Sequence, residues 1–141
     1  MPLSSAGPGA DMSRKAHTFL ALAEDDLAHA RDNLVSHPRQ AAWSIEQAAE
    51  KLIKAVLTTE GVDYPTTSHQ LDDLVRRIPE TNPFKADFLD LTRLTPAATR
   101  YRYPTPRGDL PDDPPMEEMR EDLERVRLLL PQVQAWFDER R

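Results

Sequence analysis

The stretch RQAAWSIEQAAEKLIKAVLTTEG, from Arg39 to Gly61, decides the fold of this chain. Alanine, glutamate, glutamine, lysine and leucine dominate it, and these residues have high intrinsic helix propensities. Its apolar residues recur three and four positions apart, in two adjacent stripes that share Ile45 and Leu52. A face this wide is typical of a helix that packs on at least two neighbours. The stretch therefore predicts a central helix that ends at Gly61, which serves as its C-cap.

Four polar residues share the remaining side of this helix: Gln47, Glu50, Lys51 and Lys54. Their spacing of three, four and seven positions places them in one row. An amide and two lysines on a rigid helix could contact a phosphate or a base. The alternative is a solvated face, on which a Glu50–Lys54 pair contributes only a few tenths of a kcal/mol. Spacing alone favours the solvated face.

Composition restricts the class of protein. The chain has 141 residues, enough for one domain with a core of its own. It has no cysteine, which excludes disulfides, thiolate metal sites and a cysteine nucleophile. The net charge of −6 argues against general binding to duplex DNA or RNA. With no apolar run long enough for a membrane span and no secretory signal pattern, we expect a soluble cytoplasmic protein.

The N-terminal part of the chain predicts a tail followed by a helical hairpin. Residues 1–12 are rich in proline, glycine and serine and are expected to be disordered, which leaves 13–141 as a single helical domain. Ser13 is expected to cap a first helix over about 14–36. The pair His37-Pro38 then breaks the chain, because a residue before proline disfavours the helical region. So short a connection predicts that the first helix and the central helix are antiparallel.

Proline and apolar periodicity divide the rest of the chain. Three further helices are predicted, the first of them capped by Ser68: residues 69–78, 83–98 and 115–139. Residues 100–115 hold five prolines and predict a loop. Pro131 lies inside the pattern of the last helix and predicts a kink or a break there. The expected fold is all-α, an up-and-down bundle of four long helices plus one short helix.

Most catalytic signatures are absent from the sequence. Four scattered glycines form no phosphate-binding loop, and neither a GxSxG nor an HExxH pattern occurs. The four histidines do not pair at helical spacing: His17, His29, His37 and His69. We therefore predict no metal site, no cofactor and no catalytic residue.

A second cluster of interest lies at the start of the proline-rich loop: Arg100, Tyr101, Arg102, Tyr103 and Arg107. Arginine forks suit phosphate, and tyrosine rings suit base stacking. Alternatively, Arg102 could cap the preceding helix while the tyrosines pack on the bundle. The residues alone support both interpretations about equally.

Two segments together resemble a known family. SIEQAAEKLIKAVLTTEGVDYPTTSHQLDDL, residues 44–74, is followed by ATRYRYP, residues 98–104, and this combination resembles the HEPN domain (higher eukaryotes and prokaryotes nucleotide-binding). The resemblance extends from about Phe19 to Phe137. The matching positions are Ala48, Ala49, Glu50, Lys51, Lys54, Ala55, Gly61, Pro65, His69, Leu71, Leu74, Arg102, Tyr103 and Pro104.

The resemblance implies a five-helix bundle, usually dimeric, with one of three kinds of function. Some members of the family are metal-independent ribonucleases, often toxins, with an R-x(4–6)-H motif near the start of the last long helix. Others bind nucleotides or accompany a minimal nucleotidyltransferase. No histidine follows His69 here, so the ribonuclease motif is absent from its expected place. The stretch from Arg31 to His37 has the right spacing but lies at the end of the first helix, and we assign it no role.

The sequence thus predicts a non-catalytic, homodimeric module that binds a nucleotide or a partner protein. The partner could be a minimal nucleotidyltransferase in a toxin–antitoxin system. The expected nucleotide-binding residues are Gln47, Lys51, Lys54, Arg100, Arg102 and Tyr103. His69 is expected to fix its loop to the central helix through a hydrogen bond, and contact of His69 and Glu50 with the ligand is the alternative. Two other functions stay open: an RNA-cleaving toxin with a non-standard active site, and a scaffold whose basic, aromatic turn forms a dimer interface.

Overall fold

A computed structural model describes residues 8–65 and 67–141 of the chain. These residues form helices and no strand, which confirms the predicted all-α class. The elements are α1 (Pro8–Asn33), α2 (Pro38–Glu60), α3 (Leu71–Arg76), α4 (Lys85–Leu91), a 3₁₀ turn (Thr92–Leu94), α5 (Ala97–Arg100) and α6 (Met116–Asp138). No helix in the described part of the chain is both long enough and apolar enough to cross a membrane.

The helices α1 and α2 form the predicted antiparallel pair, which is built on alanine. Both helices carry fully buried alanines seven residues apart: Ala16, Ala23 and Ala30 in α1, and Ala41, Ala48 and Ala55 in α2. A side chain of one carbon lets two helix backbones approach more closely than leucine would allow. A hydrogen bond of 2.8 Å between His29 Nδ1 and Ser44 Oγ joins the pair near the connection.

The central position of α2 is confirmed, because this helix packs against α1, α3, α4, α5 and α6. Its C-terminus is closed by Gly61, whose φ of 72° is left-handed. The N–H of Gly61 bonds the carbonyl of Thr58, and the N–H of Val62 bonds that of Leu57. These two bonds are the Schellman pattern, and they satisfy carbonyls that the end of the helix would otherwise leave unpaired.

The predicted fourth helix, residues 83–98, is interrupted rather than continuous. Its pieces are α4, the 3₁₀ turn and α5. Pro96 has no N–H to bond the carbonyl of Thr92, and the N–H of Thr95 bonds that carbonyl instead, at 3.2 Å. The hydroxyl of Thr92 also bonds the carbonyl of Leu89. The turn redirects the chain so that α5 lies against α2, beside the proline-rich loop.

The last helix, α6, continues without interruption through Pro131. Of the two predicted outcomes, a kink or a break, the break is therefore excluded. The spacing of apolar residues three and four apart in this helix predicted a buried face that includes Leu123 and Leu130. Both are half-buried in the structure, whereas Leu129 and Trp136 are buried. The rings of Phe84 and Trp136 are perpendicular, with their centroids 5.8 Å apart. This contact attaches α6 to the start of α4.

The N-terminus differs from the prediction. We expected a disordered tail over residues 1–12 and a cap at Ser13, but α1 already begins at Pro8. Proline suits a first helical turn, where its missing N–H would have no partner, and Asp11 is favourable near the positive end of the helix dipole. Residues 1–7, the remainder of the predicted tail, lie outside the described residues.

The predicted cap of the third helix is also wrong. Helix α3 begins at Leu71 with Gln70 at the cap position, and no side chain caps it. The N–H of Leu71 instead donates a hydrogen bond of 3.2 Å to the Thr95 hydroxyl oxygen. A side chain from a distant turn thus replaces the local cap that Ser68 was expected to provide.

Candidate functional site

The polar face of α2 lies against other parts of the chain, so the interpretation of these residues as a solvated face is wrong. Lys51 Nζ donates to Asp26 Oδ2 of α1 at 2.5 Å, and both side chains are about four-fifths covered. Lys54 Nζ donates to Glu50 Oε2 at 3.2 Å, and both of these side chains are buried. Lys51 therefore holds α1 against α2, Lys54 pairs with a carboxylate of α2 itself, and both lysines neutralise carboxylates of the bundle.

His69 makes the hydrogen bond that the sequence predicted. Its Nδ1 lies 3.0 Å from Glu50 Oε1, while 63% of its side chain stays exposed. The contact fastens the start of α3 to the middle of α2. Because the Glu50 carboxylate accepts from both Lys54 and His69, it has little capacity left for a ligand.

Glu46 is a buried carboxylic acid next to this group. It has no solvent exposure, and its Oε2 finds no partner among the described residues, whereas its Oε1 accepts from Gln47 Nε2 at 2.8 Å. Burial, and to a smaller extent the charge of Glu50, raises the pKa of Glu46 from 4.5 to about 8. Glu46 is consequently neutral near pH 7, which agrees with its dry surroundings.

The turn Arg100–Tyr103 presents cations stacked on aromatic rings. The Arg102 guanidinium carbon lies 4.4 Å from the centre of the Trp43 ring and 5.9 Å from that of Tyr103. Arg100 lies 5.7 Å from the centre of the Tyr101 ring. Trp43 belongs to the first part of α2, so the stack attaches the turn to the central helix. Stacking orients a guanidinium plane and leaves its N–H groups available at the edge.

The arginines of this segment differ from most others in the chain, because no carboxylate pairs with them within the described residues. Nine arginines form ion pairs: Arg14, Arg31, Arg39, Arg76, Arg93, Arg120, Arg127, Arg140 and Arg141. Arg100, Arg102 and Arg107 are outside that set, together with Arg77 and Arg125. The chain has an excess of acidic residues, so three such arginines within eight positions, with no acidic residue between them, make this segment locally cationic.

Tyr101 lines three adjoining depressions around this turn. We call the first the outer cleft, an open space of about 400 Å³ lined by Ser36, His37, Pro38, Arg39, Gln40, Tyr101, Arg102 and Asp113. The second is a proline-rich groove along the 101–115 loop. We call the third the inner cavity, which lies between α2, α5 and α6. A ligand bound at Arg102 would therefore have two further spaces within reach.

The outer cleft contains residues that the sequence did not single out. Arg39 donates to Asp113 Oδ1 at 2.7 Å, so the carboxylate in this cleft is already neutralised. His37 lies in the same cleft as Arg102, while Arg31, its partner in the spacing R-x(5)-H, lies on α1 beside α6. Only tertiary contacts bring His37 and Arg102 together. The short connection before Pro38 was the one signal in the sequence, because it places His37 at the end of the bundle where α1 and α2 meet.

The structure divides the six predicted nucleotide-binding residues into two groups. Arg100 and Tyr103 line the proline-rich groove, and Arg102 lies beside Tyr103 and over Trp43 at the start of α2. Lys51 and Lys54 lie about 12 and 16 Å further along the helix axis than Trp43. The Gln47 side-chain amide donates a hydrogen bond to the Glu46 carboxyl group. None of Gln47, Lys51 and Lys54 lines the outer cleft, and Lys51 joins α2 to α1 through Asp26.

No group of three or more metal-binding side chains occurs in residues 8–65 and 67–141. The chemistry of the outer cleft and its neighbours is instead that of cations, aromatic rings and backbone groups. Such a surface binds anionic, planar molecules through charge and stacking.

The chain belongs to the HEPN domain family, whose profile matches residues 16–133. No curated protein and no solved structure is significantly similar to it. Family membership indicates a function related to nucleotides or RNA, and HEPN domains often dimerise. The match spans α1 to α6 and includes both the polar face of α2 and the Arg100–Tyr103 turn.

Proposed function

We propose that the protein is a non-catalytic module that binds a nucleotide at the Arg100–Tyr103 turn. Arg102 and Arg100 hold the phosphate, and Tyr103, which is 57% exposed, stacks on the ligand. Of the other predicted binding residues, Lys51 acts indirectly by pairing with Asp26 of α1, while Gln47 and Lys54 hydrogen-bond carboxylates of α2 itself. The observation that carries the proposal is the set of three arginines within eight positions of an acidic chain that have no carboxylate partner among the described residues.

Physical chemistry supports this assignment. An arginine already paired with a carboxylate must give up that partner before it binds phosphate, whereas Arg102 has no such competitor among the described residues. Its side chain is also held in place by Trp43, which lowers the entropy lost on binding. Exposure of Tyr103 leaves a ring face available for a base.

Thermal unfolding with a panel of mono-, di- and triphosphate nucleotides tests the proposal. A ligand present at about one hundred times its dissociation constant adds roughly 2.7 kcal/mol to the stability, which raises Tm by several degrees. We expect such a shift for the wild type and its loss in Arg102→Ala. Each variant is compared with its own Tm without ligand, since loss of the Trp43 contact changes stability by itself.

Arg125→Ala is the matched control. Arg125 is exposed on α6 and has no carboxylate partner in the described part of the chain, so its removal changes the net charge equally at a distant place. The control should keep the full shift. Equal shifts in Arg102→Ala and the wild type, or no shift with any nucleotide, would contradict the proposal.

The proposal includes assembly. We propose that the module acts as a homodimer in the cytoplasm and accompanies a nucleotidyltransferase in a toxin–antitoxin pair, as some relatives of the family do. If the turn serves only as a dimer interface, Arg102→Ala becomes monomeric in light scattering. If it serves a nucleotide, the variant keeps the size of the wild type.

Cleavage of RNA is the second candidate function, and the outer cleft is the observation that favours it. His37 and Arg102 share this cleft, and metal-independent RNA cleavage uses a histidine as acid or base and an arginine to stabilise charge. Incubation with end-labelled RNA in a chelator distinguishes the two functions. Cleavage that His37→Ala abolishes and His17→Ala retains would establish an enzyme, whereas intact RNA supports the binding module.

A further inference from the structure

The outer cleft has the size and the charge of a site for an anionic group. Its volume of about 400 Å³ falls within the roughly 300–1,000 Å³ that is typical of ligand pockets. Two arginines line it, Arg39 from the first turn of α2 and Arg102 from the Arg100–Tyr103 turn, against one carboxylate, Asp113. No described side chain caps α2, so the positive end of its helix dipole adds to the charge of the two guanidinium groups.

The ion pair between Arg39 and Asp113 is the part of this cleft that a phosphate can replace. Both hydrogen bonds that Arg39 donates to described residues leave from Nη1, to Asp113 Oδ1 at 2.7 Å and to the Pro111 carbonyl at 3.4 Å. The Asp113 side chain is 61% exposed, and an exposed ion pair contributes little to stability. Asp113 is therefore a weak competitor for Arg39, whose guanidinium offers five N–H donors in all.

The outer cleft adjoins the proposed nucleotide site through Arg102. This residue lines the cleft, and its guanidinium carbon lies 5.9 Å from the centre of the Tyr103 ring. Tyr103 does not itself line the cleft, so a base stacked on it and a group inside the cleft occupy neighbouring, separate places. A nucleotide on Tyr103 with its first phosphate at Arg102 has Arg39 within the space that its further phosphates enter.

We propose that the outer cleft binds the terminal phosphates of a nucleoside di- or triphosphate and that Arg39 exchanges Asp113 for them. This inference rests on the proposed nucleotide site and adds the class of ligand. A terminal phosphate carries nearly two negative charges near pH 7, and its oxygens match the guanidinium fork. Asp113 carries one charge and accepts from Arg39 through one oxygen. The phosphate consequently replaces the carboxylate, whereas a monophosphate ends at Arg102 and leaves the ion pair intact.

Calorimetric titration with AMP, ADP and ATP, and with GMP, GDP and GTP, tests this exchange. Within each series the base and the sugar are constant, and EDTA keeps metal ions off the phosphates. For the wild type we expect the triphosphate to bind about tenfold or more tightly than the monophosphate. Arg39→Gln should remove most of that difference without changing monophosphate affinity, whereas Arg102→Ala should weaken every member of a series.

Asp113→Asn should change affinity in the opposite direction. Loss of the competing carboxylate frees Arg39, so triphosphate affinity should rise about two- to fivefold while monophosphate affinity stays constant. A damaged fold cannot produce such a gain. Two controls change the charge identically outside the cleft: Asp109→Asn, exposed in the same loop, and Arg125→Gln, exposed on α6. Both should keep the wild-type ratio of triphosphate to monophosphate affinity.

The outcomes separate this inference from the function on which it rests. Binding that requires Arg102 but shows equal affinity for mono- and triphosphates overturns the terminal-phosphate site and leaves the nucleotide site standing. A triphosphate preference that Arg39→Gln retains overturns the role of Arg39, and an unchanged triphosphate affinity in Asp113→Asn overturns the exchange. No binding of any nucleotide to the wild type overturns both proposals together.

Discussion

At the scale of single residues, the polar row of α2 shows how tertiary contacts change the meaning of a side chain. Periodicity placed Gln47, Glu50, Lys51 and Lys54 on one side of the helix, where polar residues ordinarily meet water. The structure covers that side with Asp26 of α1 and with His69. Lysines that looked available for a phosphate are already paired with carboxylates inside the bundle.

Glu46 leads to a prediction about pH. Its pKa is about 8 in the folded protein and near 4.5 once exposed, so the folded state binds the proton more tightly. The stabilisation is fully present below about pH 4.5 and is lost as the pH rises through 8. Glu46→Gln removes this titration. We expect urea unfolding to show a smaller loss of stability between pH 5.5 and pH 8.5 in the variant than in the wild type.

The exposed Glu117 provides the comparison for that experiment. Glu117→Gln, at the surface of α6, should follow the wild-type dependence on pH. If Glu46→Gln shows the same dependence as well, then Glu46 does not hold a proton in the folded state.

At the scale of elements, the ends of α2 show which boundaries a sequence can predict. Gly61 was predicted to end the helix, and its left-handed φ of 72° confirms it. The boundaries of α4 could not be predicted in the same way. The apolar spacing is continuous across Thr92, Thr95 and Pro96, yet the helix is divided there. Pro96 has no N–H to donate to the Thr92 carbonyl one turn earlier, and the N–H of Thr95 donates to it instead.

The C-cap of α2 gives a prediction about stability. Gly61→Ala should destabilise the protein by about 1 kcal/mol, because a side chain with a Cβ atom disfavours the left-handed conformation. Apart from Gly61 itself and the residues on either side of it, no heavy atom of the described residues lies within 4 Å of the position that this Cβ would occupy, so the cost is conformational rather than steric. Urea unfolding measures it. Gly61→Asn is the control and should cost less, since asparagine tolerates this conformation; equal costs for the two variants would contradict the explanation.

At the scale of the whole molecule, the alanine-lined contact between α1 and α2 determines how closely the bundle can pack. The six buried alanines repeat every seven residues in both helices, which keeps small side chains at the contact along its length. The outer cleft depends on this arrangement, because the connection between the two helices supplies His37 and the first turn of α2 supplies Arg39.

Ala48→Leu tests that packing. Ala48 is fully buried, and three extra carbons there force the helices apart, so we expect a loss of about 1–3 kcal/mol or more in unfolding free energy. Ala21→Leu, on the exposed side of α1, is the control and should change stability by less than about 0.5 kcal/mol. A tolerated leucine at position 48 would show that the two helices are not in close contact there.

The sequence by itself determined the all-α class, the antiparallel pair of α1 and α2, the central place of α2 and the basic, aromatic composition of the turn. Helix propensity, apolar spacing and proline are local properties, so a single chain reveals them. Only the tertiary structure decided that Lys51 and Lys54 are paired, that Arg102 stacks on Trp43, and that His37 shares a cleft with Arg102. These contacts join residues far apart in the chain, and their energy depends on burial and on partners that no local pattern records.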